Sequence, residues 1–232
     1  MTEATGSGRW PGDLKVALVH DWLTGMRGGE KCLQVMAEIF PQAEIFTLLH
    51  VPGSLAPELE NRTMHTSFLQ RMPAADRFYR WALPVFPRAV EAFDFSAFDL
   101  VLSSSHCVAK GLRTTERTRH LCYCFTPMRY AWTFYSEYFG DSPVKAVAMR
   151  PVLAALRSWD RRSATRVDRF VAISEHVRAR IRDFYGREAD VVYPPVDTER
   201  WVPGRNGRPG DYDLIVSALV PYKRIDVAVR AY

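Results

Sequence analysis

The feature that most constrains this chain is a repeated alternation of short apolar runs with turns and stretches of helical spacing. Lys15–His20 (KVALVH), Glu44–Leu49 (EIFTLL), Asp99–Ser103 (DLVLS), His120–Cys124 (HLCYC), Arg169–Ile173 (RFVAI) and Ala189–Tyr193 read as strands. Compact apolar runs such as KVALVH suit strands covered on both faces. Between the first two, Glu30–Phe40 sets Cys32, Leu33, Met36, Ala37, Ile39 and Phe40 on one stripe, and Pro41 stops it. A helix over Glu175–Tyr185 follows Ser174, a capping residue type, and ends at Gly186. Such alternation predicts an α/β chain: a Rossmann-like parallel sheet with helices on both faces.

The same reading divides the chain. Residues 14–193 form one domain. Residues 194–211 carry four prolines and three glycines without periodicity and read as an interdomain linker. Within 212–232, Asp213–Leu219 (DLIVSAL) is expected to be a strand and Ile225–Tyr232 a helix start. One strand and part of a helix cannot bury a core, so this segment is expected to be an incomplete second domain. The least regular part of the first domain is Thr63–Phe98. Inside it, Arg77–Phe93 is rich in aromatics and arginine, and Pro84 and Pro87 argue for two short helices.

Composition excludes several classes. With 47% apolar and 25% charged residues among 232, the chain is globular and not disordered. No apolar run approaches the ~18 residues of a spanning helix, and the start, MTEATGSGRWPGD, lacks a secretory signal pattern. A cytoplasmic location is expected. Charge is uneven: residues 1–100 hold 9 basic and 12 acidic side chains, and residues 101–232 hold 22 and 14. The basic half suits an anionic ligand, a membrane surface or a solvated arginine face. Nucleic acid is disfavoured, because no recognised motif frames the basic residues. The four cysteines lack a C-x₂-C pairing. Cys122 and Cys124, at strand spacing, are expected not to face one metal, so no metal site is expected.

Four motifs could carry chemistry. The first runs from His20 and Asp21 to Gly28, Gly29 and Glu30, a glycine-rich turn from a strand into a helix whose free amides suit an anion. Its spacing is not that of a dinucleotide fingerprint. The second is Ser103–Gly111 (SSSHCVAKG), whose hydroxyls, His106 and Lys110 suit a polyol or an anion; no nucleophile elbow surrounds the serines. The third, Cys122–Trp132, brings Thr126, Arg129 and Tyr130 to the same sheet edge. The fourth, Val220–Arg224, offers Lys223 and Arg224 where a strand meets a helix, a pairing that suits a diphosphate. Each has a plainer explanation: an ordinary βα turn, a hydrogen-bonded structural histidine, a solvated helix start.

Together HDWLTGMRGGEK, SSSHCVAKG, CYCFTPMRYAW, WDRRSATRVDRFVAIS, VVYPPVD and SALVPYKRID resemble the retaining glycosyltransferases of family 4, nearest the mannosyltransferase-like group of polysaccharide and lipid-linked glycan assembly. The resemblance spans Leu14 to Tyr232. It implies the GT-B architecture, an acceptor-side N-terminal domain facing a donor-binding domain, with no catalytic metal or cofactor. The donor implied is a nucleotide-sugar, GDP-mannose or a UDP-sugar, and the acceptor a glycan or a lipid-linked glycan. By the same resemblance, Lys223 grips the donor diphosphate, Arg224 adds to that grip, and Gly28 and Gly29 approach the donor phosphate or the acceptor. Asp21, His106, Lys110, Thr126, Arg129 and Tyr130 would line the acceptor side. Two departures stand out: Ser217-Ala218 replaces a frequent Gly-Arg, and Phe125 replaces a frequent His before Thr-Pro.

By the same resemblance the family's E-x₇-E donor segment lies past Tyr232, so the 232-residue chain alone is expected to have little or no transferase activity. The arginines of 77–93 and 150–169 suggest peripheral contact with anionic lipid on the inner membrane face, or arginine stems lying over apolar surface. The competing class is a non-catalytic acceptor- or lipid-binding module.

Overall fold

The computed structural model of the chain describes residues 14–132, 143–199, 210–217, 219 and 223–232. The chain divides after Pro195 into two compact units. The first is built on a seven-stranded, all-parallel sheet: β1 (Val16–His20), β2 (Glu44–Thr47), β3 (Met64–Thr66), β4 (Leu100–Ser105), β5 (Arg119–Cys124), β6 (Arg169–Ala172) and β7 (Ala189–Val191). Their spatial order is β3-β2-β1-β4-β5-β6-β7. The order reverses between β1 and β4, where Val19 pairs Ser103 and His20 pairs Ser104.

The expected strands are present, with ends that shift by up to two residues. β3 is an addition: a three-residue polar edge strand, too short to show periodicity, held by pairing to Ile45–Thr47. On one face lie α1 (Gly28–Ile39) and α2 (Pro57–Glu60), burying Cys32, Leu33, Met36 and Leu59 against Val16, Leu18 and Ile45. On the other face lie α3 (Ala75–Phe78), a 3₁₀ run Tyr79–Val85, α4 (Phe86–Glu91), α5 (Arg129–Trp132) and the long α6 (Pro143–Ser163), whose Leu153 and Leu156 reach the cluster around Val19 and Val101. Farther along that face α7 (Glu175–Tyr185) packs on β5 and β6 through Val177 and Ile181. Ser174 caps α7 by accepting from the Val177 amide, and Gly186 ends it at φ 64°. Residues 77–93 are broken, into the end of α3, the 3₁₀ run and α4: Pro87 lies in the first turn of α4, whereas Pro84 sits inside the 3₁₀ run.

The cysteine expectation needs one correction. Residues two apart on a strand share a face, and β5 sends Cys122 and Cys124 into the same cluster. Both thiols are buried, as are Cys32 and Cys107.

The second unit, Val196–Tyr232, carries α8 (Ile225–Ala231). The strand expected over Asp213–Leu219 does not form among the described residues. Leu214, Ile215 and Val216 stand exposed, with no neighbouring strand among the described residues of this unit to complete a ladder. Residues 1–13, Ala218 and Val220–Tyr222, to which parts of the motifs fall, lie outside the described residues.

Candidate functional site at the strand-order switch

In an open parallel sheet, ligands sit beyond the carboxyl ends of the strands where the order reverses. Here that place is formed by the loops after β1 and β4. Asp21 follows β1 directly and is fully buried. Its carboxylate accepts four consecutive backbone amides of the β4 loop: His106 and Cys107 on Oδ2 at 2.7 and 2.9 Å, Val108 and Ala109 on Oδ1 at 2.6 and 2.7 Å. One negative charge thus fixes the β4 loop to β1. Asp21 therefore cannot touch a ligand, which corrects its expected place in the cleft lining.

What Asp21 positions is His106. The imidazole Nδ1 lies 3.1 Å from Asp21 Oδ2, and the ring stands edge-on to Trp22 at 4.5 Å. Because Nδ1 faces a carboxylate that already accepts amides, it carries the proton, and Nε2 keeps its lone pair. The side chain remains 18% exposed, and Nε2 makes no hydrogen bond among the described residues. Burial lowers the pKa of His106, and the charges of Arg129 and Arg27 act the same way against the pull of Asp21. His106 is therefore a neutral, oriented hydrogen-bond acceptor at neutral pH.

Beneath it lies His20, whose Nδ1 is 2.7 Å from Ser104 Oγ. Burial, reinforced by His106, lowers its pKa to about 4. Gly29 backs onto this ring. A Cβ there would come within 3.2 Å of His20 Cε1 and 3.5 Å of Phe125, so a side chain would fit only if the imidazole gave way slightly. Gly28 has open space around it and is the first residue of α1. The Arg27 amide donates to Glu30 Oε2 at 3.1 Å, closing the turn before the helix. Of the third motif, Thr126 lies half-buried and takes a 3.4 Å contact from Arg180 Nη1. Arg129 opens α5, and Tyr130 packs against the apolar cluster that includes Trp22.

Lys110 is the second correction. It is 1% exposed, and its ammonium lies 2.9 Å from Asp160 Oδ1 while donating to Asp160 O at 2.7 Å and Ser163 Oγ at 2.8 Å. Trp132 Nε1 and Tyr185 OH donate to Asp160 Oδ2 at 2.7 and 2.8 Å. This network ties the β4 loop to α5, α6 and α7, and Lys110 does not line the cleft. Asp160 is the partner that sequence reasoning missed, because it sits in WDRRSATR, a stretch that reads as basic surface.

Lys223 and Arg224 belong to the second unit. Arg224 adopts the left-handed φ of 48°, a conformation that favours glycine. Its guanidinium meets Asp226 at 3.1 and 3.3 Å.

Two hollows lie elsewhere, at the amino ends of the strands. One of about 490 Å³ is lined by Gln42, Glu44, Pro57 and Arg62 among others. There Arg62 already donates to the carbonyls of Ala37, Phe40 and Pro41, so the hollow is the seam where α1 ends.

The family model described as Glycosyltransferase Family 4 matches residues 26–200. The chain belongs to glycosyltransferase family 4. No curated protein matches it. Family 4 membership means that the substrates are a sugar donor and an acceptor. The matched span includes Gly28, Gly29, His106, Thr126, Arg129 and Tyr130; Asp21 falls just before it, and Lys223 and Arg224 beyond it. No helix among the described residues of this family 4 chain is long and apolar enough to cross a membrane.

Proposed function

We propose that the chain serves retaining transfer of a hexose, mannose in the first instance, from GDP-mannose or a UDP-sugar to a glycan or lipid-linked acceptor in polysaccharide assembly. The observation that carries this reading is the Asp21–His106 pair beside Gly28 and Gly29 at the strand-order switch. A neutral imidazole with a free lone pair suits an acceptor hydroxyl. Thr126 and Arg129 extend the same polar edge, and Tyr130 supplies a ring beside it.

Breaking the anomeric C–O bond develops positive charge on the sugar and negative charge on the leaving diphosphate. Preorganised cations stabilise that change. Lys223 and Arg224 are assigned to the diphosphate, and the exposed ion pair of Arg224 with Asp226 is weak enough to exchange for it.

The test is transfer of labelled sugar from GDP-mannose, with UDP-glucose as second donor, to a polyprenyl-linked glycan. It is run with this chain alone and with a family 4 donor-binding domain joined after residue 232. Transfer from GDP-mannose by the joined protein, abolished by Lys223→Ala and giving a product of unchanged anomeric configuration, is the expected result. An inverted product, or full activity of Lys223→Ala, overturns it.

A further inference from the structure

The helical segment after β3 leaves an unusual surface. Trp81 is 82% exposed and Phe78 is 52% exposed, with Val85 beside them. A globular surface seldom leaves a tryptophan so bare. The backbone explains the arrangement. In the 3₁₀ run Tyr79–Val85, side chains three apart eclipse one another, so Phe78, Trp81 and Pro84 form one outward ridge. Tyr79, Ala82, Leu83 and Phe86 face inward and are buried.

Arginines flank the ridge. Arg71, Arg77, Arg80 and Arg88 are all exposed, against the single acid Asp76 between residues 71 and 88. None of the four forms a salt bridge among the described residues. Arg80 only leans over the Tyr79 ring at 5.1 Å. The other arginine-rich segment behaves differently. Arg157 donates to Ala131 O, Arg161 to Phe184 O, and Arg166 to Glu91 and Gly111 O.

We infer that the Phe78–Trp81–Pro84 ridge, with Val85 beside it and its arginines, is a docking surface for an anionic lipid bilayer. Tryptophan prefers the headgroup level, where its apolar body and N–H are both satisfied. Unpaired arginines beside it are attracted to anionic headgroups. An aromatic anchor and a basic cluster together supply the two signals that stable peripheral binding needs. The surface also leads to the candidate site. Tyr79 and Phe86 pack on Trp22 at 5.3 and 5.9 Å, and Trp22 rests against His106. Docking would hold the His106 loop near the bilayer, where a lipid-linked acceptor resides. That consequence rests on the transferase reading; the docking does not.

The experiment is co-sedimentation of the purified chain with vesicles of phosphatidylcholine alone and of a phosphatidylcholine–phosphatidylglycerol mixture, at low and high salt. Binding should require the anionic lipid and fall with salt. Arg77→Gln and Arg80→Gln should each lower partitioning about fivefold, and Trp81→Ala about tenfold. All three variants should keep the wild-type melting temperature. Brominated anionic lipid should quench wild-type fluorescence more than that of Trp81→Ala. No binding to anionic vesicles, equal binding to neutral ones, or variants that bind like wild type would overturn the proposal. So would a dimer in light scattering that Trp81→Ala dissociates, since the ridge would then lie between copies. Failure of docking leaves the transferase reading standing, because transfer to a water-soluble glycan does not need it.

Discussion

His106 and Lys110 lie four residues apart in the loop after β4, and in the sequence they look alike: polar side chains at a sheet edge, each able to meet a polyol or an anion. The fold sends them in opposite directions. His106 is oriented by Asp21, and its other ring nitrogen makes no hydrogen bond among the described residues. Lys110 turns into the helical layer and gives its ammonium to Asp160 and Ser163. The difference teaches how to separate a binding group from a structural one in this loop. Their carboxylate partners do not distinguish them, since Asp21 and Asp160 are both fully buried. What distinguishes them is whether hydrogen-bonding capacity is left over once the fold is made.

The largest effect should come from the Lys110 side. Lys110→Ala leaves the Asp160 carboxylate buried, with no cation to face it. Losing one partner of a buried pair costs about 3–5 kcal/mol, and thermal or urea unfolding would register it. Lys110→Met combined with Asp160→Asn should recover much of that loss, because neither partner then carries a charge. A Lys110→Ala protein as stable as wild type would break the comparison, since Lys110 would then be free to serve a ligand.

Gly111, the next residue, shows how closely this side is packed. A Cβ there would lie 2.3 Å from the Trp159 ring. Trp159 in turn donates to Glu91 Oε1 at 2.7 Å, and the same carboxylate receives Arg166 and Arg113. The polar groups of the Lys110 side are thus tied into contacts between helices, and none is presented at the sheet edge.

Acid should act on two histidines inside the sheet. His20, bonded to Ser104, and His120, whose Nε2 lies 2.8 Å from Ser103 Oγ, are both fully buried. Burial lowers their pKa values to about 4 and about 3, from 6.5 for an exposed histidine. The unfolded chain therefore binds protons that the folded chain refuses. Stability from this source is complete above pH 6.5 and falls as pH drops toward 4, by roughly 1.4 kcal/mol per pH unit for each histidine. Urea unfolding at stepped pH measures the slope. His120→Gln should flatten it, and an unchanged slope would place the acid sensitivity elsewhere.

How much of this was legible in the sequence depended on how local the cause was. The strands of the first unit are apolar runs, so composition alone reveals them, and the strand-to-helix alternation implies the parallel sheet. Two glycines hid the first turn of α1, because glycine is a poor helix former and the periodic pattern begins only at Glu30. The Lys110–Asp160 pair spans fifty residues, and nothing near either residue announces the other. Asp21 stood out as a candidate, but its task of holding four amides becomes visible only once β1 and β4 are neighbours. The Asp213–Leu219 run has the pattern of a strand, yet a strand also needs a neighbour to bond. The break in 77–93 was readable, whereas the exposure of Trp81 followed from which residues the 3₁₀ turn points outward.

The smallest effect on stability, and the most informative, should come from His106 itself. His106→Gln gives up one contact to Asp21, which keeps its four amide donors, so the cost should be near 1 kcal/mol. A structural histidine would show nothing more. An acceptor-orienting histidine should also show a raised acceptor KM and a changed pH profile in the transfer assay. The sign follows from its lowered pKa: the wild-type imidazole is neutral at pH 7 and loses its lone pair only on acidification below 6.5, so transfer should fall on that limb. Glutamine does not titrate there, and the variant's residual activity should lose the part of that limb that His106 contributes. Asp21→Asn separates the two functions of the loop. It should weaken the amide cluster, destabilise the fold more than His106→Gln does, and remove the negative charge that opposes the lowering of the His106 pKa. Its acid limb, measured on whatever protein remains folded, should therefore shift to lower pH. An Asp21→Asn limb that stayed in place would leave His106 outside the reaction and make the whole β4 loop a structural device.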